Sequence, residues 1–153
     1  MDDLDILTFI EEQISLIKES IGDEKAIVAV SGGVDSTVSA ILAMKAIGDN
    51  LVPFFIDDNF MRLGEGEQIK NYLTSEPLNL PVRILNKRQN FMSALEGITD
   101  AEDKRKAFRK TFYETLGEVV KQEGCRFLIQ GTIKADIDET KQGIKTQHNI
   151  LNQ

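Results

Sequence analysis

This sequence has little cysteine, histidine or proline and no long apolar run. Its 153 residues include one cysteine, one histidine, three prolines and no tryptophan. Because Cys125 has no second cysteine to pair with, an internal disulfide is excluded, which fits a reducing compartment. No stretch reaches the roughly 18 apolar residues that a membrane-spanning helix needs. The acidic start, MDDLDILTF, lacks the basic segment of a signal peptide, so we expect a cytoplasmic protein.

The chain also lacks an excess of positive charge. Its 18 lysines and arginines stand against 25 aspartates and glutamates, and the net charge is −7. A protein of that charge does not attract DNA, RNA or an anionic membrane as a whole. Any phosphate site must therefore be local, built from backbone N–H groups and a few lysines. The length and the 41% of hydrophobic residues predict one domain with a core, over residues 1–153.

Apolar strand-like segments alternate with helix-like segments along the chain. This alternation predicts an α/β fold, with a parallel sheet between helices on both faces and right-handed connections. A chain that winds outward from its first strand and then reverses has the strand order 3-2-1-4. The predicted strands are 25–30, 51–56, 81–85 and 126–130, and the predicted helices are 7–21, 36–48, 66–73, 91–98 and 99–123.

Side-chain spacing predicts how the first and last helices are placed. Thr99 and Glu102 have the spacing of a capping box, which predicts the start of the last helix. Cys125, just before the fourth strand, is expected to be a buried structural thiol. The first helix carries an apolar stripe with intervals of three and four residues, which predicts one buried face. This stripe consists of Leu7, Ile10, Ile14, Ile17 and Ile21.

Two glycines separate the first predicted strand from the next helix in AIVAVSGGVDSTVSAILAMKAIG, residues 26–48. Glycine allows a tight turn and a close approach to a ligand, and the helix start directs N–H groups and a positive dipole end there. Phosphate is the natural ligand of such a turn. Neither the Walker motif G-x-x-x-x-G-K-[ST] nor the dinucleotide fingerprint G-x-G-x-x-G occurs. The alternative is an ordinary turn with no ligand.

Asp35 is unusual in a phosphate-binding loop, because its carboxylate repels phosphate. A Mg²⁺ ion held between the two would remove this repulsion. The alternative is that Asp35 is an ordinary acidic residue in the first turn of a helix. In the predicted strand order, strands 1 and 4 flank the point where the winding reverses, and ligands bind outside the carboxyl ends of the strands there. We therefore expect SGGVDS and the turn at Gly131 and Thr132 to face one crevice.

The hexapeptide SGGVDS after a buried strand resembles the pyrophosphate-binding loop (PP-loop) of the N-type ATP pyrophosphatases. With RLGEGEQI, LEGITDAEDKRK, LIQGTI and IKTQHN following in order, the chain is similar to the ATP-pyrophosphatase domain of GMP synthetase. The resemblance is to the archaeal type, whose glutaminase is a separate subunit, and covers about residues 5–150. It implies the Rossmann-like fold of the adenine nucleotide alpha hydrolases. That family continues with a dimerisation domain, which this sequence is expected to lack.

The resemblance also implies a reaction and a set of site residues. ATP would adenylate xanthosine monophosphate (XMP), and ammonia would displace AMP to give GMP. The implied cofactors are ATP and Mg²⁺, and the implied partners are a separate glutamine amidotransferase subunit and a second copy of the chain. Asp35 would be the metal ligand and, with Lys145 in a polar lid over about 133–147, catalytic. The implied binding residues are Ser31, Gly32, Gly33, Val34, Asp35, Ser36, Thr37, Asp57, Gly131 and Thr132.

Two other functions fit the same residues. A reduced PP-loop enzyme could adenylate a different acceptor, such as a tRNA base or a small carboxylate. A non-catalytic protein could bind ATP or AMP without turnover. A further open point is the basic segment EDKRKAFRK, residues 102–110, which is either a solvated helix face or a patch that binds nucleotide phosphates.

Overall fold

The computed structural model describes residues 5–132. In this part of the chain, four strands form a sheet of order β3-β2-β1-β4, and each neighbouring pair is parallel. The predicted fold class and strand order are therefore confirmed. The strands are β1 (Ala26–Ala29), β2 (Leu51–Asp57), β3 (Arg83–Asn86) and β4 (Phe127–Ile129); the helices are α1 (Ile6–Ile21), α2 (Val34–Ile47), α3 (Glu65–Thr74), α4 (Arg88–Leu95) and α5 (Ala101–Glu123), and a 3₁₀ turn (Gly48–Asn50) follows α2.

Helices cover both faces of the sheet and form two apolar cores. Ile27 and Val28 are both fully buried, but they point to opposite faces because side chains alternate along a strand. The core on the side of α1, α2 and α3 contains Val28 and Phe55, whereas the core on the side of α4 and α5 contains Ile27 and Phe54. This two-sided burial explains why β1 and β2 are continuous apolar runs.

The last helix begins one residue later than the capping box predicts. Asp100, rather than Thr99, is the N-cap of α5, and its Oδ1 accepts hydrogen bonds from the N–H groups of Glu102 and Asp103, both at 2.9 Å. The predicted pairing of Thr99 with Glu102 is wrong. An aspartate directly after the threonine offers a charged acceptor at the cap position, which is a better cap.

The apolar stripe on α1 is only partly buried. Ile21 is buried against the sheet, Ile10, Ile14 and Ile17 are half-buried, and Leu7 is 72% exposed. The prediction is therefore wrong for Leu7, because this end of α1 has no layer above it in the described structure. Among residues 5–132, no helix is long and apolar enough to cross a membrane.

Cys125 lies buried at 6% exposure just before β4, as predicted. Burial raises the pKa of its thiol above the usual 9.0, and the negative charge of Glu123 raises it further. A thiol of this kind is a poor nucleophile, which supports the structural role.

Candidate functional site

Two serines hold the loop between β1 and α2 in shape. The Oγ of Ser36 accepts a hydrogen bond from the N–H of Ser31 at 3.2 Å and donates one to the carbonyl oxygen of Gly33 at 3.2 Å. The Oγ atoms of the two serines lie 3.2 Å apart. Because Ser36 belongs to the first turn of α2, these bonds tie the loop to the helix. They help to fix the shape of the loop.

Gly32 lies against the side chain of Ile69 on α3. Its φ of +84° is a left-handed conformation that favours glycine. A Cβ added here would lie 2.7 Å from Cδ1 and 2.9 Å from Cγ1 of Ile69. The backbone conformation therefore favours glycine at this position, and a larger residue would also force the side chain of Ile69 to move.

The starts of α2, α3 and α4 have no side-chain cap, unlike those of α1 and α5. Asp5 and Asp100 cap α1 and α5 with their carboxylates, whereas the N-cap of α2 is Gly33, which offers no side chain. An uncapped helix start with its dipole is a site for an anion. Among the residues that the structure describes, the loop N–H groups without a hydrogen-bond acceptor are those of Gly32, Val34, Asp35 and Ser36.

Asp35 presents its carboxylate beside these donors. The residue is exposed, and within residues 5–132 its carboxylate makes no hydrogen bond or ion pair. The same residues contain no group of three histidine, cysteine or acidic side chains that could hold a metal. Mg²⁺ commonly takes only one or two carboxylates and completes its shell with water and phosphate oxygens. A single carboxylate next to an anion site fits that donor set.

Strand β4 brings Gly131 against the start of α2. A Cβ added to Gly131 would lie 2.9 Å from the carbonyl carbon of Asp35 and 3.0 Å from the N of Ser36. Thr132, which follows, is exposed. The two glycine turns therefore lie side by side, as the pairing of β1 with β4 requires. A role of Gly131 and Thr132 in binding stays a prediction.

Asp57 ends β2 and forms an ion pair with Arg88, the first residue of α4. The Nε of Arg88 lies 2.9 Å from Oδ2 of Asp57, and Oδ1 accepts a longer hydrogen bond, 3.3 Å, from the N–H of Asn59. Arg88 was not among the residues predicted from the sequence. Its position could have indicated the contact. Asp57 at the end of β2 is aligned with Asn86 at the end of β3, and Arg88 follows Asn86 by two residues.

A cavity of about 640 Å³ opens beside this ion pair at the carboxyl ends of β2 and β3. Its size is in the range of small-ligand sites. Charged side chains of both signs line it, among them Asp57, Arg62, Glu67, Lys70 and Arg88. It is thus suited to a polar ligand rather than an apolar one. Lys145 and the predicted lid over 133–147 lie outside the described residues.

Comparison with known proteins gives consistent matches. Residues 5–61 match the family model described as NAD synthase. The chain is 49% identical over 143 residues to a subunit of the glutamine-hydrolyzing GMP synthase of Sulfurisphaera tokodaii, and the match covers 94% of this chain. It is 48% identical to the corresponding subunit from Saccharolobus solfataricus over 96% of this chain, and 46% identical to that from Methanopyrus kandleri over 93%. Over nearly its whole length, the chain is therefore similar to subunits of GMP synthases.

This similarity confirms the resemblance drawn from the ordered motifs. The chain spans only 38%, 40% and 45% of the lengths of the three relatives. Solved structures agree on the fold. NMN synthetase from Francisella tularensis matches with a TM-score of 0.70 at 18% identity, over 95% of this chain and 61% of that one. NH3-dependent NAD synthetase from Campylobacter jejuni matches with a TM-score of 0.67 at 17% identity, over 88% of this chain and 59% of that one.

Proposed function

We propose that this chain is the ATP-binding part of a GMP synthase. The C2 oxygen of XMP attacks the α-phosphorus of ATP, the bond to the β-phosphate breaks, and pyrophosphate leaves. Ammonia then attacks C2 and releases AMP, which gives GMP. The observation that carries this proposal is the similarity to the GMP synthase subunits, up to 49% identity over 94% of the chain. The geometry of the loop supports it independently.

In this proposal the loop 31–37 binds the leaving pyrophosphate. The acceptor-free N–H groups of Gly32, Val34, Asp35 and Ser36 would donate to its oxygens, and the hydroxyls of Ser31 and Thr37 lie on the same segment. Because the serine hydrogen bonds hold the loop in place, these donors need no reorganisation as charge builds on the leaving group. Little covalent chemistry falls to the protein, so positioning and electrostatics dominate.

Asp35 is the residue that we propose to hold Mg²⁺. When bound, the ion would neutralise part of the charge on the leaving pyrophosphate. The protein's own contribution is the placement of one unpaired carboxylate in the first turn of α2, beside the N–H donors. An asparagine there would keep the shape but not the charge.

Four other predicted residues receive roles in the same proposal. Gly131 keeps the second turn against the loop, and the exposed hydroxyl of Thr132 is available to a phosphate oxygen. Asp57, held by Arg88, shapes the cleft at the end of β2, whose backbone would face the adenine. Lys145, outside the described residues, would contact the phosphates as the lid over 133–147 closes.

A partner is proposed to supply the ammonia. Each relative is named as one subunit of a glutamine-hydrolyzing enzyme, so we propose a separate glutamine amidotransferase subunit for this chain. In the described part of the chain, the one thiol is buried and there is no histidine, so these residues contain no pair for glutamine hydrolysis. We also propose that residues 1–153 act as one domain and that the complete enzyme is a homodimer.

The test is to incubate the chain with Mg-ATP, XMP and ammonium and to quantify every nucleotide product, while calorimetry measures ATP binding separately. Equal amounts of AMP, pyrophosphate and GMP would establish the synthase reaction in this chain alone. ATP that binds but stays intact would overturn turnover by this chain alone and leave the loop assignment standing. Absence of ATP binding would overturn both. AMP formation that requires a different acceptor would overturn XMP as the substrate.

A further inference from the structure

Another cavity, of about 420 Å³, lies over the N-terminal half of α5. Its floor is apolar and consists of Phe60, Leu95, Phe108 and Phe112. The rings of Phe60 and Phe108 meet edge to face with centroids 6.1 Å apart, and Phe108 packs on the buried Phe91 at 4.7 Å. The core therefore supports the floor from below, yet Phe60 remains 54% exposed.

Basic side chains surround this floor. Arg105 pairs with Glu102 at 2.8 Å and Lys106 pairs with Asp103 at 3.7 Å, so acidic neighbours neutralise both within the helix. Lys104 and Arg109 also line the cavity, and neither makes an ion pair within residues 5–132. The cavity thus combines an apolar floor with two uncompensated positive charges, on a chain whose net charge is −7.

We propose that this cavity binds a small organic anion, with a flat aromatic or short aliphatic body and one carboxylate, sulfonate or phosphate group. The volume falls in the range of small-molecule sites. The body would displace water from the phenyl rings, and the head group would lie near Lys104 and Arg109. A neutral apolar compound would make no ionic contact with Lys104 or Arg109. A plain inorganic anion would leave the apolar floor exposed to water.

The site also accounts for the basic segment 102–110. The sequence left two interpretations open, a solvated helix face or a patch that binds nucleotide phosphates. Phe108 lies in the same segment and faces the cavity together with the basic residues, so the segment is neither fully solvated nor purely polar. None of the lining residues belongs to the loop 31–37 or to the other residues assigned above, so the two proposals fail or stand separately.

A matched pair of fluorescent probes tests the proposal on the whole chain. Anilinonaphthalene sulfonate carries a sulfonate, and phenylnaphthylamine has the same ring system without it. We expect saturable binding of the sulfonate, which weakens as salt rises from about 0.1 M to about 1 M, whereas binding of the neutral probe does not weaken. The double variant Lys104→Gln/Arg109→Gln should weaken sulfonate binding by about fivefold. Lys121→Gln, further along α5, should leave it unchanged.

The floor is tested by a second pair of variants. Phe60→Ala should weaken both probes, whereas Leu63→Ala, which removes a 97% exposed side chain from the same loop, should not. Circular dichroism checks that every variant is folded. Equal affinity for the two probes, or no effect of Lys104→Gln/Arg109→Gln, would overturn the proposal. It would also be overturned if Leu7→Ala on α1 abolished the signal, or if inorganic phosphate competed as well as the sulfonate.

Discussion

Gly131 and Asp35 meet where β4 and α2 approach each other. A Cβ on Gly131 would lie 2.9 Å from the carbonyl carbon and 3.0 Å from the carbonyl oxygen of Asp35. These are backbone atoms, which cannot rotate aside as the end of a flexible side chain can. The absence of a side chain at Gly131 thus sets the spacing between the two turns at the carboxyl edge of the sheet.

The variant Gly131→Ala should separate the two turns. We expect a loss of about 1–3 kcal/mol in the free energy of unfolding, because the added methyl group would overpack the contact. Pyrophosphate binding should also weaken. Urea unfolding and calorimetry measure the two effects. Gly117→Ala is the matched control, because no atom lies within 4 Å of its added Cβ and alanine is favoured inside a helix. Equal stability of the two variants would contradict the contact.

Replacement of Gly32 tests the close approach of α3. Gly32→Ala and Gly97→Ala both place alanine at a positive φ, +84° and +75°, at a similar cost of about 1 kcal/mol. The added Cβ meets Ile69 only at Gly32, since nothing lies within 4 Å at Gly97. Gly32→Ala should therefore be the less stable variant and lose pyrophosphate affinity. Ile69→Val, which removes the Cδ1 atom, should restore part of the stability of Gly32→Ala.

Asp35→Asn separates charge from shape in the loop. The carboxylate has no partner in the described structure, so the free energy of unfolding should fall by at most about 1 kcal/mol, through the lost interaction with the dipole of α2. If Asp35 holds Mg²⁺, AMP formation should fall by about 100-fold, and more Mg²⁺ should be needed for ATP binding. Asp49→Asn, at an exposed position after α2, is the control. Full activity of Asp35→Asn would refute the metal role.

A double-mutant cycle tests the pair of Asp57 and Arg88. The Asp57 side chain is only 17% exposed, so its ion pair is screened less than a pair on the open surface. We expect a coupling energy of about 0.5–1 kcal/mol from Asp57→Asn and Arg88→Ala in unfolding experiments. The pair of Arg126 and Glu24, at 71% and 47% exposure, should couple less. The opposite ranking would show that Arg88 does not fix Asp57.

The capping carboxylate of Asp100 makes the free energy of unfolding depend on pH in the acidic range. Hydrogen bonds from the N–H groups of Asp103 and Glu102 hold the pKa of Asp100 below its usual 3.8. The unfolded chain therefore binds the proton first, so this contribution is complete above pH 3.8 and is lost as pH falls through the lower folded pKa. Asp100→Asn keeps a capping side chain without the titration. Its melting temperature should fall less steeply than that of the wild type between about pH 5 and about pH 2.5.

Local patterns in the chain were enough for much of the fold. The apolar runs at β1 and β2, and the glycines that end α1, α2 and α5, are signals that neighbouring residues carry. The cap of α5 was misassigned because Thr99 and Asp100 are both good capping residues, and only the backbone path decides between them. The burial of Leu7 was misjudged because periodicity shows that a helix has an apolar face but not how far the covering layer extends.

The sequence by itself determined the alternation of strands and helices, the glycine loop before α2 and the similarity to GMP synthase subunits, because each rests on residue order along the chain. Only the tertiary structure decided which distant residues meet. The contact of Gly131 with Asp35, that of Gly32 with Ile69, and the ion pair of Asp57 with Arg88 all join different elements. Sheet pairing and helix packing set these distances, and no spacing in the sequence encodes them directly.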